Sequence, residues 1–108
     1  MPETVALGLD TSNYTTSAAL LQNGEMHSRG RLLPVKAGEI GLRQSDAVFH
    51  HTRQLPQVVA ELGGAVRDVR AIGVSDRPRD AEDSYMPCFL VGLGAAEMLG
   101  QALGAPVH

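Results

Sequence analysis

Val5, Leu7 and Leu9 alternate with Ala6 and Gly8, and the alternation stops at Asp10. A period of two marks a strand, here with a carboxylate at its end. A second apolar run, Ser17–Gln22, leads into Asn23-Gly24, a two-residue hairpin signal, and Glu25–Arg31 then reads as its antiparallel partner. Three consecutive strands therefore open the chain. From Leu32 to Arg43, one Pro, two Gly and no sustained period predict a long ordered loop, a type of segment that is often functional. Lys36, Glu39 and Arg43 are its candidate ligand contacts, although charges in such places are mostly solvated.

The period then changes. Ser45 and Asp46 form an N-cap pair, and Val48, His51, Leu55, Val58, Val59 and Leu62 recur at steps of three and four, predicting a helix that ends at Gly63-Gly64. Pro56 lies inside it, removes one backbone hydrogen bond and predicts a bend. His51 shares the apolar face and His50 does not. Consecutive helical residues point about 100° apart, so the pair is a poor metal site. His51 is expected as a core histidine bonded to a backbone carbonyl. Val69–Ser75 predicts a short parallel strand covered on both faces. The following loop, Asp76 to Ser84, carries both charge signs. It reads either as a solvated connection or as a place where Arg77 and Arg79 meet a phosphate or carboxylate, because α/β folds put ligands at the carboxyl ends of strands. Pro87 predicts the start of a second helix over Cys88–Leu103, with Gly104 as its stop and Pro106 beyond. Only Glu97 and Gln101 are polar in that run, so the helix should be covered on more than one side. Its 16 residues include a Glu, and a membrane span needs about 20 apolar ones.

Composition narrows the class. At 108 residues the chain is one small α/β domain with room for a core, and with 44% apolar but only 4% aromatic residues that core must be aliphatic. The net charge is −3, and eight Arg and one Lys are spread without a basic stripe, which argues against nucleic-acid binding by this piece alone. A lone cysteine, Cys88, excludes an internal disulfide and a cysteine-based zinc site. With no signal or lipidation motif, the expected compartment is the cytoplasm.

The candidate chemistry sits between the first two strands. Thr11, Ser12, Thr15, Thr16 and Ser17 supply five hydroxyls and, with Asn13, a row of backbone N–H groups able to curl around an anion. Asp10 beside them suits a hydrated Mg²⁺. The same residues also suit a plain turn.

Gly8-Leu9-Asp10 followed after the turn by Ser17-Ala18-Ala19-Leu20-Leu21 resembles the first phosphate motif of the superfamily of actin, sugar kinases and actin-like chaperone ATPases. Gly8-Leu9-Asp10-Thr11-Ser12, His51-Thr52-Arg53-Gln54-Leu55-Pro56, Leu90-Val91-Gly92 and Leu103-Gly104-Ala105-Pro106 resemble segments of the Gcp/TsaD family. That family was first labelled O-sialoglycoprotein endopeptidase, or glycoprotease, and is now understood as the threonylcarbamoyl transferase of tRNA adenosine modification. The resemblance implies an N-terminal lobe of ribonuclease H-like fold: three antiparallel strands, then helix, strand and helix, on a mixed sheet. It also implies ATP or an acyl-adenylate on Asp10, Ser12, Asn13, Thr15 and Thr16, with Arg77 and Arg79 as substrate-loop candidates. The family's Fe²⁺ or Zn²⁺ is held by two histidines four apart, expected beyond His108 and not within this chain.

On that reading residues 1–108 are one lobe of a larger two-lobed protein, inactive alone. Val107-His108 would begin a further parallel strand, and the edge left open predicts self-association. Implied partners are a nucleotide, the second lobe, tRNA through the full-length protein, and a homodimer or family heterodimer; a membrane is not expected. The sequence also departs from the family. Asn13-Tyr14-Thr15 replace a Cys-Asp-Glu tripeptide, Arg77-Pro78-Arg79 replace a Gly-Pro-Gly loop, and an acidic stretch precedes Ser84-Tyr85-Met86-Pro87. These differences point to a divergent bacterial branch and leave two alternatives open: a non-catalytic scaffold or dimerisation partner of the same fold, and a small-molecule kinase of the superfamily. Protease chemistry has no Ser-His-Asp or zinc-protease motif to support it.

Overall fold

The computed structural model describes residues 5–12, 14–34, 44–75 and 86–108. Asn13, the 35–43 segment with Lys36, Glu39 and Arg43, and the 76–85 segment with Arg77 and Arg79 lie outside the described residues. So does the side chain of the expected cap Ser45.

Strand β1 (Val5–Asp10) occupies the sheet interior, antiparallel to β2 (Thr15–Gln22) and parallel to β4 (Ala71–Val74). Strand β3 (Glu25–Leu32) pairs antiparallel with β2, so the order is β3-β2-β1-β4. The β2–β3 turn is the expected one: Asn23 and Gly24 both take positive φ, 53° and 81°, the pair of left-handed conformations a tight hairpin needs. β3 is exposed along its whole length, and its Glu25, Arg29 and Arg31 make a charged edge that discourages further pairing.

Helix α1 (Gln44–Glu61) runs through Pro56, whose ring sits on the exposed side. The predicted stripe faces the sheet, with His51, Leu55 and Val58 buried. A short 3-10 turn over Gly64–Asp68, not signalled by periodicity, links α1 to β4. Helix α2 (Met86–Leu103) starts one residue before Pro87 and ends where expected. Gly104 has φ 66°, and the Ala105 amide donates back to the Gly100 carbonyl at 2.9 Å, a glycine-terminated helix end.

Gly100 has a second task. A Cβ there would come within 2.8 Å of both the Ala105 carbonyl oxygen and Val107, so only glycine lets the chain fold back against α2 and reach the sheet. Val107 then bridges Ile72 in parallel, and the 106–108 backbone exchanges hydrogen bonds with Ile72 and Val74. This covers the outer edge of β4.

Both helices pack on one face of the sheet. Val5, Leu7, Leu9, Ala18, Leu20 and Ile72 meet Leu55, Val58 and Ala96 there, and this is the core. Two expectations are corrected by the arrangement. β4 is apolar in composition but covered on one face only, because Gly73, on the other face, is exposed. Among the described residues helix α2 is not covered on several sides: Leu90 is 52% and Met98 74% exposed, and the flank that rests on described elements meets the sheet and α1. No helix of the described residues is long and apolar enough to cross a membrane.

Candidate functional site

Side chains alternate between the faces of a strand, so pairing register sorts the sheet residues. On the face away from the helices, Ser28, Ala19, Gly8 and Gly73 stand side by side across all four strands. The next row toward the carboxyl ends of β1 and β4 holds Gly30, Ser17 and Asp10, with Ser75 one residue beyond β4. No side chain in either row is larger than the Asp10 carboxylate. The result is a cavity of 360 Å³ on bare sheet, with Asp10, Ser17 and Ser75 at one end.

Among the described residues that line the cavity, Asp10 carries the charge. Its Oδ1 accepts from the Ser12 amide at 2.8 Å and from the Ser75 hydroxyl at 2.9 Å. Burial pushes its pKa up, but the hydroxyl and amide of Ser12, the Ser75 hydroxyl and the proximity of His51 outweigh it and hold the carboxyl below its ordinary value. It is therefore a carboxylate at neutral pH. A strand end, a turn and the end of a second parallel strand converge on one oxygen.

The two flanking threonines are committed elsewhere. Thr11 and Thr16 are fully buried. The Thr11 hydroxyl donates to the Cys88 carbonyl and accepts from the Gly92 amide at 3.1 Å, both in the first turns of α2. Burial pushes the Cys88 thiol up, so it is a neutral packing group.

The Thr16 hydroxyl lies 2.8 Å from His51 Nδ1 and donates to Gln54 Oε1 at 3.0 Å, while Gln54 Nε2 donates to the Leu32 carbonyl at 3.2 Å. The Leu32 carbonyl can only accept, which orients the Gln54 amide. One hydroxyl carries one proton, so Thr16 accepts from His51 and Nδ1 is protonated. His51 is thus a core histidine, as expected, but its Nδ1 partner is a side-chain hydroxyl and not a backbone carbonyl. The reason is register: Thr16 faces the helix side of the sheet directly under α1.

Of the sequence-derived candidates, Asp10 and Ser12 are brought together, Thr15 stands exposed at the start of β2, and Thr16 forms part of the wall toward α1. Ser75 and Gly73 belong to no motif of the sequence, whereas Gly8 opens the Gly8-Leu9-Asp10 motif. A glycine inside a strand is itself a signal of a close approach to the backbone. Among the described residues no three His, Cys, Asp or Glu side chains gather in a metal-binding group. One carboxylate ringed by hydroxyls suits a Mg²⁺ shared with a ligand's phosphates, which keeps most of its waters.

Strand order, the parallel β1–β4 pair and a carboxylate at the end of β1 define a ribonuclease H-like fold of mixed α/β type. No protein-family model and no curated protein matches the sequence. Solved structures do. The chain is similar to YeaZ from Pseudomonas aeruginosa, with 25% identity and a TM-score of 0.71 over 96% of this chain and 41% of that one. A second structure, an uncharacterized protein with similarity to peptidase YEAZ from Pseudomonas aeruginosa, gives 26% identity and a TM-score of 0.72 over the same shares, 96% and 41%. RuvC of Thermus thermophilus shares the fold alone, at 15% identity and a TM-score of 0.50 over 97% of this chain and 62% of its own. The chain spans about two-fifths of the length of the YeaZ structures.

Proposed function

We propose that this chain is the nucleotide-binding lobe of a protein of the YeaZ and Gcp/TsaD kind, taking ATP or an acyl-adenylate at the carboxyl ends of β1 and β4. The observation that carries the reading is the Asp10 carboxylate, held by Ser12 and Ser75 at the mouth of a glycine-floored cavity. Gly8 and Gly73 let a ligand lie against the backbone, Ser17 and Ser75 offer hydroxyls, and Asp10 holds a hydrated Mg²⁺ that neutralises phosphate charge. In the longer protein a second lobe would close over this site, and the family's Fe²⁺ or Zn²⁺ would be held by two histidines outside this chain, beyond His108. Threonylcarbamoyl transfer to a tRNA adenosine is the reaction that the resemblance implies there. The lobe by itself binds and does not turn over, since catalysis needs groups held from both sides of the ligand.

Calorimetric titration with Mg·ATP tests the reading. The chain binds, and Asp10→Ala weakens binding by about tenfold or more, as expected for loss of a charged contact. Equal affinity of the two proteins would remove Asp10 from the site, and no binding by either would remove the nucleotide.

A second reading, a non-catalytic dimerisation partner, is favoured by one feature: Leu90 and Met98 stand exposed on α2 eight residues apart, on the same side of the helix, with Gly94 between them. Sedimentation that stays monomeric at high concentration, or a monomer–dimer equilibrium unaffected by Met98→Glu, would count against it.

A further inference from the structure

The Thr11 hydroxyl touches two groups that are four residues apart on one helix, the Cys88 carbonyl and the Gly92 amide. In an α-helix these two groups are each other's partners, the acceptor at i and the donor at i+4. The hydroxyl therefore engages both ends of a single rung of the α2 ladder. Neither end needs it for satisfaction, since the rung can close on itself. Gly92 provides the room: a Cβ there would stand 3.0 Å from Thr11 Oγ1. Thr11 is fully buried and adjoins both Asp10 and Ser12, whose amide holds the carboxylate.

We infer that Thr11 is a positioning residue that locks the Asp10 turn to the first turns of α2, so that the carboxylate and the helix move as one body. The coupling is local and has a stated route: Asp10 to the Ser12 amide, through the intervening Thr11 backbone, to a hydroxyl on the Cys88–Gly92 rung. A displacement of the turn by a ligand is thereby felt at the amino-terminal half of α2, the half that carries exposed Leu90. Thr11→Val keeps the shape and removes both hydrogen bonds, while the helix rung closes directly; Thr11→Ser keeps the hydroxyl. Gly92→Ala crowds the hydroxyl from the other side.

The test is amide hydrogen exchange at Gly92 in the full chain. Asp10→Asn weakens the hold on the Ser12 amide and should speed Gly92 exchange by about tenfold in the wild-type and Thr11→Ser backgrounds, both of which keep the hydroxyl. In the Thr11→Val background the same change should have less than about a twofold effect. Equal acceleration in all backgrounds, or none in the wild-type background, overturns the inference. A second arm rests on the proposed nucleotide reading: Thr11→Val should weaken Mg·ATP binding about tenfold and Thr11→Ser restore it, with the melting temperature of each variant above the measurement. Wild-type affinity in Thr11→Val, where Asp10→Ala has lost binding, contradicts the positioning role. If the wild type binds no Mg·ATP, the nucleotide reading falls and the exchange comparison still decides for or against Thr11.

Discussion

The two faces of one four-stranded sheet have opposite chemistry. On the helix side, Val5, Leu7, Leu9, Leu20 and Ile72 are buried to within a few percent and form the core with α1 and α2. On the other side the same strands present Gly8, Ala19, Ser28 and Gly73, with Asp10, Ser17 and Ser75 at the end. Alternation along each strand sends bulk one way and leaves bare backbone the other. On the proposed function, stability and recognition are thus separated by the pleat: a residue and its neighbour in sequence serve different ends.

The comparison breaks most visibly at its largest contrast. Leu20→Ala should cost about 2–5 kcal/mol in denaturant unfolding, a cavity among buried neighbours. Ser28→Ala, across the sheet and exposed, should stay within about 0.5 kcal/mol. Similar costs for the two would mean that the second face is as well packed as the first. Next in size is Thr16→Val, which removes the buried hydroxyl shared by His51 Nδ1 and Gln54 Oε1 and should cost about 1–3 kcal/mol.

A smaller effect comes from Asp10. Its folded pKa lies below the ordinary value, so its contribution to stability is present above the unfolded value of about 4 and is lost as pH falls through the folded one. Asp10→Asn should therefore flatten the fall in stability below about pH 4 and leave the rest of the profile parallel; an unchanged acid limb would show that the carboxylate is not held. Smallest is Arg31→Ala. Arg31 reaches Gln57 and, at 3.2 Å, Glu61 across the exposed rim, and its loss should cost under about 1 kcal/mol and shrink further in salt.

Local signals were legible in the sequence. Asn23-Gly24 dictates a hairpin whatever surrounds it, the steps of three and four along Val48 to Leu62 state a helix and its face, and Gly104 states where α2 ends. Resemblance extended this to the fold. Two features were not legible because they depend on long-range register. Ser75 meets Asp10 only once β4 pairs parallel to β1, and Thr16 meets His51 only once α1 lies over β2. The exposure of Leu90 and Met98 escaped for a different reason: an apolar helix says that it wants cover, and composition cannot count how many neighbours this stretch of chain provides. The five hydroxyls of the turn looked equivalent in sequence. In the structure Thr11 and Thr16 are spent inward, and Ser12 and Ser17 remain with Asp10 on the open side.

On the proposed function, the open face and its carboxylate end are the binding surface. The most direct measurement is a two-dimensional amide spectrum of the chain titrated with Mg·ATP. The account predicts shifts concentrated at Gly8, Asp10, Ser12, Ser17, Gly73 and Ser75, absent in Asp10→Ala. Shifts confined to the outer surfaces of α1 and α2, or the same pattern in Asp10→Ala, would contradict it.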